Sequence, residues 1–243
     1  MRKLTLATGS FLILAAPLAQ ADILGLGASV SYWDSDLSGN VAKDSNSVDV
    51  DDELRLDNDG NANAGLYLEH PVPLLPNVAL SYTKIQQSGR GQLSQQYDGV
   101  DPGTVYSELD LEQLDLTLYY EVLDNWVNLD LGLTVRDFSG ELRMQSRTNS
   151  TQSSRTEADA VLPLGYISAR FDLPFTGASV GAGGNFISYS GDSMRDFNVY
   201  GQYRISVLQL RAGYRQIAVD YEDGDDVFDV KLDGPFVSAG VTF

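Results

Sequence analysis

The last ten residues of the chain, GPFVSAGVTF, alternate strictly between apolar and small or polar side chains. The apolar positions are Val237, Ala239, Val241 and Phe243. Successive side chains of a β-strand point to opposite faces, so this pattern predicts a strand with one face toward an apolar medium. The same alternation recurs in residues 23–33, 114–121, 127–138 and 196–205. Segments of about 8–12 residues have the length that a tilted transmembrane strand requires.

The polar faces of these segments indicate which medium the apolar faces meet. They carry small residues together with Tyr, Asp and Arg, a mixture typical of a crowded, polar barrel interior. In lipid only a closed sheet has no unpaired edge. The alternative is a soluble β-sandwich, in which the polar face would look into water. We predict an all-β fold, a closed antiparallel transmembrane β-barrel.

Turns and loops alternate along the chain and predict the topology. Tight periplasmic turns are expected near residues 71–77, 122–126, 172–177 and 205–207. Longer extracellular loops are expected near residues 34–62, 86–104 and 139–157, with shorter ones near 190–194 and 222–227. This arrangement gives about ten strands, with eight and twelve as alternatives.

Three local features refine this prediction. The alternation slips between Leu111 and Leu114, which suggests a β-bulge. Pro163 falls inside the sixth strand, although proline lacks the N–H that a strand donates. Aromatic residues are expected at the two rims of the barrel: Tyr32, Trp33, Phe138 and Phe197 at one, and Tyr120, Trp126, Tyr203 and Phe243 at the other.

The N-terminal segment reads as a secretory signal peptide. Arg2 and Lys3 precede a mostly apolar stretch that is short for a membrane span, and Ala19-Gln20-Ala21 is a small-x-small cleavage site. We expect residues 1–21 to be cleaved and residues 22–243 to form one barrel domain in the outer membrane of a Gram-negative bacterium. The chain has no cysteine, which excludes a disulfide and a lipoprotein anchor.

The net charge of −18 bears on partners. A strongly acidic chain repels nucleic acid, so we predict no nucleic-acid partner. The expected partners are outer-membrane lipid and lipopolysaccharide, and the barrel is expected to be a monomer.

Two proline-containing turns carry a family resemblance. The stretch LYLEHPVPLLPNVALSY and the stretch RFDLPFTG, together with the terminal Phe243, resemble a family of uncharacterised proteobacterial outer-membrane β-barrel proteins of about this length. The resemblance implies the barrel fold and the outer-membrane location. It also implies that Phe243 is the C-terminal signal read by the outer-membrane assembly machinery.

Charged residues on the predicted polar faces form a candidate lumen network. Its members are Asp115, Glu121, Asp130, Arg136, Arg204, Arg211 and Arg215. Buried charges must pair or be hydrated, so one hypothesis is a lumen largely filled by charged pairs in a structural or surface-exposed barrel. The alternative is a narrow, cation-favouring channel, since a lumen of about ten strands can be plugged or open.

Acidic loops form a second candidate site, a cation collar at the outer mouth. Its members are Asp49, Asp51, Asp52, Glu53, Asp57, Asp59, Asp223, Asp225 and Asp226. Such carboxylate clusters suit loosely bound Ca²⁺, but the complete spacing of a calcium loop is absent, so a solvated acidic loop remains the alternative and no cofactor is expected.

Histidine chemistry bears on an enzymatic function. The single histidine, His70, lies in a predicted periplasmic turn, and a nucleophilic dyad is hard to assemble without a second histidine or a cysteine. We expect His70 to pack or hydrogen-bond in a rigid turn, and we predict no enzymatic activity.

Overall fold

The chain folds almost entirely into β-strands. The computed structural model describes residues 24–43, 46–58, 60–72, 74–224 and 226–243, so the predicted signal peptide, residues 1–21, lies outside them. The strands are β1 (Gly25–Trp33), β2 (Asp36–Lys43), β3 (Asn46–Asp49), β4 (Leu56–Asn58), β5 (Asn61–Glu69), β6 (Asn77–Leu93), β7 (Gly103–Asp124), β8 (Val127–Ser146), β9 (Ser153–Asp172), β10 (Ala178–Tyr189), β11 (Asp192–Ile205), β12 (Leu208–Asp223) and β13 (Asp226–Thr242). A single turn of π-helix, Val50–Leu54, connects β3 to β4.

Antiparallel pairing closes these strands into a barrel. From β5 to β13 each strand pairs with the next, and β1 pairs with both β5 and β13. Strand β2 continues β1 along β13, and β4 continues β5 along β6. The wall therefore has ten strands, which confirms the predicted closed antiparallel barrel. Each backbone N–H and C=O inside the closed wall has a neighbouring strand to bond.

Short turns join the strands at one end of the barrel, which we call the turn end. They lie between β5 and β6, β7 and β8, β9 and β10, and β11 and β12, as the sequence predicts. Leu24 and Phe243 also lie there, since Phe243 exchanges backbone hydrogen bonds with Leu26 (N···O 2.8 and 3.2 Å). We call the opposite end the loop end.

The turn half of the barrel has an apolar outer surface. Each wall strand exposes large apolar side chains there, for example Val30, Leu66, Leu80, Leu116, Leu133, Ile167, Val180, Val199, Leu210 and Val237. On β7 the outward apolar positions run from Leu114 to Val122. At about 3.3 Å per residue and a tilt of about 40°, these residues span roughly 23 Å, close to the apolar band of outer-membrane barrels.

The loop half has the opposite polarity, although the strands do not change phase. On β13 the odd-numbered residues point outward throughout, but Val237, Ala239 and Val241 give way to Lys231 and Asp233, which pair outside the wall (2.7 Å). The inward positions change in the other direction, from Ser238, Gly240 and Thr242 to the buried Val230 and Leu232. The loop half thus has the construction of a soluble barrel, with an apolar core and a polar surface.

This inversion, the exchange of apolar and polar faces between the two halves of the barrel, corrects the bounds of the predicted loops. The predicted loop at 86–104 contains the end of β6 and the start of β7, and the one at 139–157 contains the end of β8 and the start of β9. The predicted loop at 34–62 contains β2, β3, the π-helix and β4. The strands continue with polar outer residues beyond the apolar outer surface of the turn half, which we call the apolar belt. A prediction based on outward apolar positions therefore ends each strand too early.

Inversion also explains two smaller errors. Leu111 and Leu114 lie in continuous register with β8, so there is no bulge between them; Leu111 points into the core and Leu114 toward the outside. The register shift on β7 lies instead between Glu121 and Leu123. Trp33 and Phe138 do not lie at an outer rim, because both pack in the interior.

Pro163 pairs in register with Val135 on the outer face of β9.

Candidate functional site

The lumen contains three successive layers, and the first, at the loop end, is an apolar core. Most wall strands send residues into it, among them Leu37, Ile85, Leu109, Leu111, Met144, Leu164, Met194, Ile217, Val230 and Leu232. The connections at the loop end contribute Val48, Val50, Leu54, Tyr97 and Val100. These side chains form one cluster of buried residues, so the interior of the loop half is mainly apolar.

Residues 46–58, which we call the lid segment, cover this core. Between Glu53 and Arg55 the backbone of the segment lies directly against β6, where Gly89 and Gly91 leave room for it. A Cβ atom at Gly91 would lie 1.7 Å from the carbonyl oxygen of Glu53, and one at Gly89 would lie 2.0 Å from that of Arg55. These distances are shorter than any non-bonded contact, so only glycine permits this packing.

Polar contacts hold the lid segment and its neighbours. The Asp49 carboxylate accepts hydrogen bonds from the backbone N–H groups of Asp51 and Asp52 (3.0 and 2.8 Å), as an N-cap does. The Glu53 carboxylate accepts from the N–H groups of Asp49 and Ser94 (3.0 and 2.8 Å), which ties the segment to the β6–β7 connection.

Asp98 joins three parts of the loop end. Its carboxylate accepts a hydrogen bond from the Ser154 hydroxyl on β9 and pairs with Lys43 at the end of β2 (2.9 Å). The hydrogen bond from Ser154, followed by the interaction with Lys43, lowers the pKa of Asp98. Asp98 therefore stays ionised under ordinary conditions and keeps these connections together.

The second layer is a buried network of two arginines and two aspartates. Arg136 donates through Nε and Nη2 to both oxygens of Asp115 (2.7 Å each) and through Nη2 to Asp196 (2.7 Å). Arg215 donates through Nε and Nη2 to Asp196 (2.9 and 2.8 Å). Arg136 is 0% exposed. Two positive and two negative charges neutralise one another, which allows the group to lie in the wall-enclosed interior.

Trp33 separates the apolar core from this network. Its side chain is buried in the core, its indole N–H donates to the Gly234 carbonyl (3.1 Å), and the Arg215 guanidinium lies 5.0 Å from the centre of its ring. An aromatic face is a favourable partner for a desolvated guanidinium. Trp33 can therefore pack in the apolar core and contact the charged network at the same time.

The third layer is a polar cavity of about 710 Å³ in the turn half, which we call the turn-end cavity. Its lining extends from Trp33, Asp115 and Asp196 to His70 and Phe243 at the turn end. Tyrosines Tyr67, Tyr119, Tyr166 and Tyr200 form part of the lining. The rings of Tyr67 and Tyr200 lie over Gly27 and Gly181 of neighbouring strands, where a Cβ would come within 2.0 and 2.5 Å. They cover the wall without filling the cavity.

The predicted lumen residues separate into two groups. Asp115, Arg136 and Arg215 belong to the buried network, together with Asp196. Glu121, Asp130, Arg204 and Arg211 line the turn-end cavity instead. Glu121 accepts from the Asn77 side chain (3.2 Å), and Arg211 donates to Gln202 (2.7 Å) and lies 4.7 Å from the Tyr200 ring centre.

Sequence reasoning missed Asp196, the residue that links the two arginines. The predicted strand 196–205 begins at this residue, and the predicted polar face of that strand begins only at Asn198. Asp196 is an even number of residues from the inward residues Asn198, Tyr200 and Gln202. This spacing is the signal that places Asp196 in the lumen.

The predicted cation collar is only partly visible. Asp59 and Asp225 lie outside the described residues, as do the side chains of Asp223 and Asp226. Asp51, Asp52 and Asp57 are exposed, whereas Asp49 and Glu53 bond to backbone N–H groups. In the described part of the chain, no three Asp, Glu or His side chains lie together as a metal site.

His70 stabilises the β5–β6 turn. Its Nδ1 accepts from the N–H of Val72 (3.3 Å), so Nε2 carries the proton and donates to the Pro76 carbonyl (3.1 Å). Its backbone N–H donates to the Asn77 side chain (3.1 Å). Both ring nitrogens thus serve the conformation of the turn.

Among the described residues no helix is long and apolar enough to cross a bilayer.

The closed antiparallel wall and its apolar outer surface in the turn half define the fold class of the outer-membrane β-barrels. Among solved structures, the outer membrane protease OmpT from Escherichia coli matches with a TM-score of 0.53 and 8% identity, over 92% of this chain and 98% of that one. A major outer membrane protein from Thermus thermophilus matches with a TM-score of 0.41 and 11% identity, over 91% of this chain and all of that one. Likeness at this identity shows the fold alone, and the second TM-score is too low to carry an argument.

The sequence comparisons add no family. No protein-family model matches the chain, and no curated protein matches its sequence. The resemblance of the two turns to an uncharacterised barrel family therefore stays a prediction.

Proposed function

We propose that this chain is an integral outer-membrane β-barrel of a Gram-negative bacterium, structural or surface-exposed, with a lumen closed toward the exterior. The observation that carries the proposal is the inversion of polarity along the wall. An apolar belt roughly 23 Å tall suits the hydrocarbon layer, and the polar outer surface of the loop half suits water. The apolar core beneath the lid segment would block the passage of ions.

The belt also supports the proposed partners. Lipid would cover the turn half, and lipopolysaccharide would meet the loop half where the outer residues become charged, for example at Lys84 and Glu112 (3.5 Å apart). Phe243 ends the strand that closes the barrel against β1, which suits a signal read by the assembly machinery. We propose a monomer without a catalytic role, since both nitrogens of His70 hold the turn.

Sided labelling tests the orientation and the closure together. The chain has no cysteine, so a single introduced thiol gives the only labelling signal. We expect Ser238→Cys, in the turn-end cavity, to resist a membrane-impermeant maleimide on intact cells and to react once the outer membrane is permeabilised. Asp159→Cys, on the outer face of the loop half, should react on intact cells. Equal reaction of both cysteines on intact cells would contradict the proposal.

A further inference from the structure

The turn-end cavity carries acidic side chains on one part of the wall and basic side chains on another. Glu69, Glu121 and Asp130 lie on β5, β7 and β8, which form one part of the wall. Arg204 and Arg211 lie on β11 and β12, three and four strands further along the wall than β8. Arg170, on β9, lies between the two sets and belongs to neither. We call these sets the acidic wall and the basic wall.

Glu69 and Arg211 have neutral hydrogen-bond partners, which leave their charges uncompensated, whereas Arg170 is paired with a carboxylate. Glu69 accepts from the Tyr119 hydroxyl (3.0 Å), and Arg211 bonds to the neutral side chain of Gln202. Arg170 pairs with Asp172 (3.1 Å). The guanidinium of Arg204 lines the cavity and makes no hydrogen bond or ion pair with any described residue. In the described part of the chain no ion pair joins Glu69 or Asp130 to Arg204 or Arg211, in contrast to the network above them.

We propose that the turn-end cavity binds a short peptide with free termini, its ammonium group at the acidic wall and its carboxylate at the basic wall. Arginine matches a carboxylate through two parallel N–H groups, and a carboxylate accepts from an ammonium in a charge-assisted hydrogen bond. The tyrosine rings that lie flat on the wall provide an amphipathic surface for the peptide between its ends.

The size of the cavity is appropriate for this ligand. Ten strands about 4.8 Å apart and tilted by about 40° enclose a backbone cylinder roughly 20 Å across. Inward side chains on both walls leave roughly half of that span. A tripeptide extends about 10 Å at about 3.4 Å per residue, so its termini can reach both walls together.

Equilibrium dialysis with trialanine tests this inference on the folded barrel. We expect saturable binding of one trialanine per barrel, and binding at least about tenfold weaker for N-acetyl-trialanine amide, which lacks both charges. Arg204→Gln and Asp130→Asn should each weaken binding of trialanine by about tenfold. Arg195→Gln, on the outer face of β11, is the matched control and should bind as the wild type does.

Three results would overturn the inference. They are the absence of saturable binding, equal binding of the free and the blocked peptide, and unchanged binding by both lumen variants. The inference uses the proposed orientation only to place the ligand in the compartment at the turn end. Failure of peptide binding by a barrel that passes the labelling test would therefore leave the proposed function intact.

Discussion

Replacement of Arg136 by glutamine should lower the free energy of unfolding by about 3–5 kcal/mol, the cost of removing one partner from a buried ion pair. Arg136 bonds to both Asp115 and Asp196 and has no exposed surface. Without its guanidinium, Asp115 loses its ionic partner and Asp196 keeps only Arg215. The measurement is urea-induced unfolding of the barrel refolded in lipid vesicles, followed by tryptophan fluorescence.

Arg195→Gln again supplies the control, because Arg195 is adjacent in sequence to Asp196 but exposed outside the wall. Its effect should stay within about 0.5 kcal/mol, as for most surface substitutions. Asp196→Asn should be destabilising in the same way as Arg136→Gln. Wild-type stability in both lumen variants would mean that the network does not stabilise the barrel.

Replacement of Gly91 by alanine should displace the lid segment. The added Cβ would lie 1.7 Å from the Glu53 carbonyl oxygen, which belongs to the backbone and has no rotamer to escape into. We expect a loss of about 1–3 kcal/mol, as for other overpacked interiors, and faster cleavage by endoproteinase Glu-C after the acidic residues 51–53. Mass spectrometry of the fragments would map the cleavage site.

Gly201→Ala is the matched control for this experiment. Gly201 lies on β11 with nothing within 4 Å of its ideal Cβ, so alanine fits without rearrangement. Cleavage at residues 51–53 should be unchanged in this variant. If Gly91→Ala resisted cleavage as well as Gly201→Ala does, the close packing of the lid segment on β6 would be refuted.

The sequence predicted the turn half of the barrel well because the strands there follow one regular alternation. Outward apolar and inward polar residues alternate there, and the turns around Asn77 and Gly177 carry strong conformational signals. The inward positions of Asp115 and Arg136 follow from the same alternation, and the structure places them as neighbours in register on β7 and β8.

The loop half could not be predicted in the same way. Strands there exchange apolar and polar faces without changing phase, so Leu111 and Leu114 resemble a slip in a single strand when only one medium is assumed. The packing of Glu53 on Gly91 joins residues from distant parts of the chain and depends on a backbone approach that no local pattern specifies. Asp196 was missed because it stands where the outward pattern changes.

Planar-bilayer conductance of the refolded protein tests the central claim, closure of the lumen at the loop end, most directly. The folded state should first be verified by the urea transition described above. We expect no discrete conductance steps from the wild-type barrel, because the apolar core and the lid segment exclude hydrated ions. Discrete steps, with a reversal potential that shows cation preference in a salt gradient, would contradict closure and favour a narrow channel with an acidic mouth.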